Sequence, residues 1–258
     1  MRLYLKYMKV HFMSQMAYRT SFVLLSIGQF FVPFMIFISM VLFFQRFDTI
    51  MGWKLYEVTL CYSVIHMAFS ISECFARGFD AFSSLIRTGQ FDRLMVRPRS
   101  TLLQVFGSKF EFTRVGRLLQ SVLVLVISLM NLNIDFTPLK ILTLILMVSC
   151  GVVVFTGIYM LGATLCFFTI EGIEIINIFT DGGREMAQYP LGIYKKWVQK
   201  FFTFVIPFGV INYYPLMYIL DKTQKTWYGL LPLTGVLFLI PCFLIWQVGV
   251  RQYKSTGS

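Results

Sequence analysis

Charged residues are scarce in this sequence. Asp, Glu, Lys and Arg make up 14% of the 258 residues, whereas hydrophobic residues make up 57%. An average soluble domain has about 25% charged and roughly 45 to 50% apolar residues. Because so little polar surface is available, a water-soluble fold is excluded, and we expect a membrane protein.

Groups that could carry catalysis are also few. The two histidines, His11 and His66, lie far apart, and no Cys/His cluster accompanies them. The sequence contains neither a GxxxxGK[ST] phosphate loop nor a GxSxG nucleophile turn. The chain is therefore expected not to be an enzyme and to bind no metal or other cofactor. The net charge of +11 does not indicate nucleic acid, because the basic residues flank apolar segments instead of alternating with aromatic residues.

The apolar residues form six segments near the length of about 20 residues that a membrane-spanning helix needs. They predict one all-α domain, residues 1–258, after a polar N-terminal segment, residues 1–20. The predicted spans are about 21–44, 56–75, 112–132, 141–168, 201–220 and 228–248.

Lys and Arg residues predict the orientation, because positively charged flanks stay in the cytoplasm. With six spans, 18 of the 23 basic residues lie on the side of the two termini. Both termini are therefore predicted to be cytoplasmic.

The fifth span is ambiguous. Residues 171–189 form a moderately apolar helix interrupted by charges, which is either an interfacial helix or itself the fifth span. In the first case, which we favour, residues 201–220 cross the membrane. In the second, the region of Pro207 and Pro215 forms a re-entrant hairpin at the outer face.

The loop at residues 77–100 has a distinctive pattern. Phe82 and Leu85 belong to the apolar face of a short amphipathic helix, the segment Thr88–Gln90 breaks it, and Pro98 ends the next turn. Such an element can dock in a groove of a soluble partner through Phe91 and Leu94. Alternatively, it is a basic surface loop that serves only topology.

Residues 88–98 of this loop, TGQFDRLMVRP, resemble the Gly-x-(Phe/Leu)-Asp-x-Leu-(Leu/Met)-x-Arg-Pro signature of the type-2 ABC exporter permeases. The segments YPLGIY at 189–194, IPFGVINYYP at 206–215 and RQYKS at 251–255 are similar to that family too. The resemblance therefore extends from the first long loop to the C-terminus.

This resemblance implies a permease subunit in the bacterial cytoplasmic membrane. Its partners would be a dimer of cytoplasmic ATPases, which hold the ATP and Mg²⁺, and a second permease, either another copy or a paralogue. The implied coupling loop comprises Phe82, Leu85, Gly89, Phe91, Asp92, Leu94, Arg97 and Pro98. The implied re-entrant or kink element contains Pro190, Pro207 and Pro215.

Ionisable residues near apolar helices are costly and commonly face a cavity or a partner. The candidates for a transport path are Glu73, Glu171, Glu174, Asp181, Arg184 and Glu185. The spacing lets Arg184 neutralise Asp181. Alternatively, residues 171–189 are an interfacial helix with solvated charges, and Glu73 is a packing contact, as are Gln29, His66 and Gln120.

Three functions are compatible with these residues. The first is an ABC exporter permease that performs conformational work, with membrane lipids around it. The second is an ion-gradient-driven transporter or channel that uses the same carboxylates. The third is a membrane scaffold or immunity protein that recruits a soluble partner through the loop.

Overall fold

The structure, a computed structural model, describes residues 2–169 and 177–253, and it is helical over most of them. Within these residues no β-strand occurs, only an isolated bridge between Ile50 and Trp53. The expected all-α fold is confirmed. The helices are α1 Arg2–Met16, α2 Arg19–Arg46, α3 Leu55–Asp80, α4 Phe82–Arg87, α5 Gln90–Met95, α6 Thr101–Phe106, α7 Val115–Asn131, α8 Pro138–Leu165, α9 Gly183–Ala187, α10 Lys196–Phe204, α11 Tyr214–Ile219, α12 Pro232–Gly235 and α13 Leu239–Gln252.

Within the residues that the structure describes, five helical stretches are long and apolar enough to cross a membrane. In two of them short 3₁₀ segments join the α-helices, so that the last stretch includes α12 and α13. The five are Arg19–Arg46, Leu55–Arg87, Phe112–Asn131, Pro138–Leu165 and Thr226–Gln252. The polar N-terminal segment forms α1.

Helix α3 is the centre of the bundle. In its most apolar window 78% of the residues are buried, against 17% for α2. It packs along α7 and α8, and Phe69 of α3 meets Phe155 of α8 with ring centroids 5.1 Å apart. Since α2 exposes most of its apolar side chains, its outer face suits lipid or another membrane helix.

The segment that follows α9 is bent. Helix α10 and the helical stretch Gly209–Ile219, which ends in α11, meet at 88°. Residues 201–220 therefore do not form one straight helix, and the bend is compatible with either a broken span or the re-entrant alternative. Pro207 lies in the break, where its missing N–H and fixed φ disfavour a continuous helix.

The two ends of this bent pair lie at the same end of the bundle. Ile193, just before α10, and Leu220, just after α11, pack in one apolar cluster with Trp53, which precedes α3. By contrast, Phe208 at the bend packs on Phe155, in the interior of α8, at 5.1 Å between ring centroids. The bend therefore points into the bundle.

Candidate functional site

The loop after α3 folds back into two short helices. Helix α4 ends at Arg87, and α5 begins at Gln90. Between them Gly89 has φ of +66°, a left-handed conformation that costs L-residues with a Cβ about 1 to 2 kcal/mol. The predicted helix break at Thr88–Gln90 thus corresponds to a tight turn that suits glycine.

An aromatic cluster anchors this loop. The rings of Phe82 and Phe91 are fully buried and 5.0 Å apart. They contact Phe167, just beyond α8, at 5.0 and 5.5 Å, and the end of the chain through Trp246 and Tyr253. Burial raises the pKa of the Tyr253 hydroxyl, and Asp92 beside it raises that pKa further. The loop is thereby held against the ends of α8 and α13.

The burial of Phe91 corrects one expectation. The sequence predicts that Phe91 and Leu94 insert into a partner, but the Phe91 ring is 0% exposed and Leu94 packs on the same core. The Phe91 ring therefore faces its own chain and is closed to a partner, whereas Leu94 is only half-buried and stays partly accessible. Leu85 is likewise half-buried against this core.

A buried amide holds the tip of the loop. Gln104 of α6 is 3% exposed and its side-chain amide donates to the backbone carbonyls of Leu94 and Arg99, at 3.0 and 3.1 Å. The sequence analysis did not identify Gln104, because a single amide in a polar loop gives no periodic signal.

The outer surface of the loop is basic. Arg87, Arg93, Arg97 and Arg99 are exposed, as is Pro98. None of the four arginines forms a salt bridge with any residue that the structure describes. The loop therefore presents a basic outer face above its buried aromatic rings.

An ion cluster surrounds Glu73, for which the sequence left open a place in a transport path or a packing contact. Its buried carboxylate accepts from Arg117 at 2.5 Å and Arg77 at 3.3 Å, and Arg114 lies 3.5 Å away. Glu111 continues the cluster, at 2.9 Å from Arg114. The spacings Glu73/Arg77 and Glu111/Arg114 could have indicated these pairs, but the contacts between helices could not be read from one sequence.

This cluster joins three helices. The Gln29 side chain of α2 accepts hydrogen bonds from Arg114 at 2.6 Å and from Arg117 at 3.1 Å. With Glu73 on α3, the side chains tie α2, α3 and α7 together. Removing one partner of such a buried ion pair leaves an uncompensated charge and costs about 3 to 5 kcal/mol.

A second polar group also lies close to Phe69. Arg184 lies 4.7 Å from the centre of this ring, and Arg117 lies 5.4 Å from it. Arg184 also pairs with Asp181 at 3.3 Å and with Glu185 at 2.6 Å. Glu171 and Glu174, the other candidates in this stretch, lie outside the described residues.

A hydrogen-bonded chain extends this group into α3. Gln188 donates to Glu185 at 2.6 Å and contacts the imidazole of His66 at 3.1 Å. The His66 ring stacks on Tyr62 at 4.0 Å between centroids, and the Tyr62 hydroxyl lies 3.3 Å from Gln120. These polar side chains therefore contact one another between helices.

The bent pair is fastened to the same helix. The side-chain amide of Asn212 donates to the carbonyls of Cys61 and Ala187, at 3.3 and 3.0 Å. At the end of the pair, Lys222 reaches Glu57 at 2.7 Å. The three prolines expected in this element, Pro190, Pro207 and Pro215, are all buried.

Comparison with known proteins identifies the family. Residues 30–257 match the family model described as ABC-2 family transporter protein. No curated protein and no solved structure matches the chain. The match covers most of the chain, including the anchored loop, the ion cluster and the bent pair. The chain therefore belongs to the ABC-2 transporter family, and it is a multi-pass membrane permease of that type.

Proposed function

We propose that this chain is the permease subunit of an ATP-driven exporter whose ATPase is a separate polypeptide. The observation that supports the proposal best is the loop at residues 82–99, which has four exposed arginines outside and two buried phenylalanine rings inside. A soluble subunit with an acidic surface would bind the arginines. The rings would pass its movement to the helices.

The aromatic cluster suggests the path of that movement. Because Phe82 and Phe91 pack on Phe167 and Trp246, displacement of the loop would move the adjoining ends of α8 and α13. Aromatic pairs in a close-packed interior transmit strain, because there is no free volume to absorb it. ATP binding and hydrolysis on the partner would thus perform conformational work here, without catalysis or a cofactor in this chain.

The proposed orientation places the loop, both termini and the ATPases in the cytoplasm. As in the second of the two sequence alternatives, α10 with α11 would form a re-entrant element at the outer face. Its two ends lie beside Trp53, in the connection between α2 and α3, which supports this alternative. This alternative places Lys195, Lys196 and Lys200 on the outer side of the membrane. Lys and Arg residues nevertheless remain more numerous on the cytoplasmic side.

The ion cluster favours a structural role over ion coupling. A coupling carboxylate must exchange its ion or proton, whereas Glu73 lies within 3.5 Å of three guanidinium groups. Within the proposed function, it keeps α2, α3 and α7 as one body that moves together. A second permease, identical or paralogous, would complete the substrate path at the interface between the two.

Charge reversal on the loop tests the docking role. Arg93→Glu places a negative charge on the exposed face without touching the core, and Arg46→Glu makes the same change at the end of α2. We expect Arg93→Glu to reduce co-purification of the ATPase severalfold and Arg46→Glu to leave it unchanged. Equal ATPase recovery with both variants would exclude docking through this face.

A further inference from the structure

An open apolar cavity of about 940 Å³ lies between α8, the bent pair and the last membrane helix. This volume is within the range of small-molecule sites. Among the described residues that line it, none is charged. Its two hydroxyl groups, on Thr203 and Thr234, already donate to the backbone carbonyls of Gln199 and Leu231, each at 2.7 Å. The described lining therefore offers few polar partners and suits an apolar ligand.

The cavity is long and opens toward the apolar outer surface of the bundle. Its lining runs along the last membrane helix from Leu231 to Ile245, which corresponds to roughly 20 Å at about 1.5 Å per residue. Phe204 and Val205, which also line it, are 82% and 55% exposed. In a membrane these side chains face hydrocarbon, so the occupant that can enter is the acyl chain of a lipid.

Positive charge lies beside the cavity. Lys196, Lys200 and Phe204 follow one another at intervals of four on α10, and therefore occupy one side of that helix, about 6 Å apart at each step. Both lysines are exposed, and neither forms a salt bridge with a residue that the structure describes. Trp197, which is 69% exposed, adds the type of residue that is enriched at membrane interfaces.

We propose that this cavity binds an anionic glycerophospholipid of the surrounding bilayer, with an acyl chain in the cavity and the phosphate at Lys196 and Lys200. The order of groups along α10 matches the order of headgroup and acyl chain in a lipid. The two lysines lie toward the end of the bundle, where the phosphate would be, and Phe204 lies deeper, beside the acyl chain. The bound lipid would fill the space behind the bend at Pro207. It would thereby support the bent pair, independently of any ATPase.

The test is a titration of lipid into the delipidated full-length protein in detergent. Binding is measured as the change in the melting temperature of the protein. The probes are dioleoyl phosphatidylglycerol and, as the zwitterionic comparison, dioleoyl phosphatidylcholine. A ligand that binds only the folded protein raises its melting temperature in a saturable way. We expect saturation with phosphatidylglycerol at a lower concentration than with phosphatidylcholine. Equal apparent affinities would exclude recognition of the anionic headgroup.

Two variants separate the headgroup from the chain. Each lysine near a membrane surface contributes about 1 kcal/mol toward an anionic lipid, so Lys196→Gln with Lys200→Gln should weaken phosphatidylglycerol binding roughly 30-fold. Thr234→Trp, at an exposed lining position, should weaken binding of both lipids by filling the cavity. Unchanged binding in either variant would overturn the proposal.

The matched control neutralises two exposed lysines on α1, by Lys6→Gln with Lys9→Gln. This variant removes the same charge from another helix that carries no part of the cavity. We expect it to bind phosphatidylglycerol as the unmodified protein does. An equal loss in both lysine variants would mean that only general surface charge attracts the lipid, and would overturn the proposal.

Discussion

At the scale of single residues, the structure gives some side chains a role different from the one that the sequence pattern suggests. Phe91 looks like a docking residue in sequence, yet it anchors the loop within its own chain. The arginines around it are the groups that a partner can reach. An amphipathic pattern identifies which face is apolar, but it cannot say whether that face meets the same chain or another one.

Gly89 is the residue whose substitution most directly tests the geometry of the loop. Its φ of +66° strains residues with a Cβ, although asparagine adopts this region much more often than other residues. We expect Gly89→Ala to destabilise the loop by about 1 to 2 kcal/mol and Gly89→Asn by less. The measurement is the melting temperature together with ATPase recovery. An alanine variant as stable as the asparagine variant would contradict the assigned turn.

Glu111 gives the ion cluster a pH dependence. Burial alone would raise the pKa of this carboxyl, but Lys109, Arg77 and Arg114 outweigh that effect and hold the pKa below its ordinary value of 4.5. The ion pairs therefore stabilise the folded protein above about pH 4.5, and this contribution is lost as the pH falls through the lowered pKa.

The corresponding measurement compares melting temperatures of the unmodified protein and Glu111→Gln between pH 7 and pH 3.5. We expect the unmodified protein to lose more stability on acidification than the variant, because the variant has no carboxylate to protonate. The two curves should approach each other as the pH falls. Parallel curves would mean that Glu111 does not contribute to folding through its charge.

At the scale of helices, close backbone contact fixes how α2 joins the bundle. A Cβ added to Gly116 of α7 would lie 1.8 Å from the carbonyl oxygen of Ser26 on α2. Gly116→Ala must therefore push the helices apart, and we expect a loss of about 1 to 3 kcal/mol. Gly28→Ala, on α2 itself, meets nothing within 4 Å and should be neutral or slightly stabilising. Similar melting temperatures for the two variants would contradict this packing.

The long helices were predictable because each needs only a continuous apolar block, which the sequence displays directly. The bent pair could be predicted only as the second of two alternatives, since the apolar run at residues 201–220 has the length of a span and Pro207 commonly only kinks a helix. The ion cluster could not be predicted from the sequence, for a different reason. Glu73 and Arg117 are 44 residues apart, and only the packing of α3 on α7 brings them together.

At the scale of the whole molecule, the anchored loop, the joined helices and the bent pair form one connected structure. The aromatic cluster links the loop to α8 and α13, and the ion cluster links α2, α3 and α7. This arrangement suits a permease that is moved by another protein.

The most direct test is purification of the tagged full-length chain from its native membranes in a mild detergent, with quantitative mass spectrometry of the proteins recovered. The account predicts an ATPase carrying a GxxxxGK[ST] motif in near-equal amount, with or without a second permease. Recovery of this chain alone in several mild detergents would contradict the exporter and favour an ion-coupled transporter or channel.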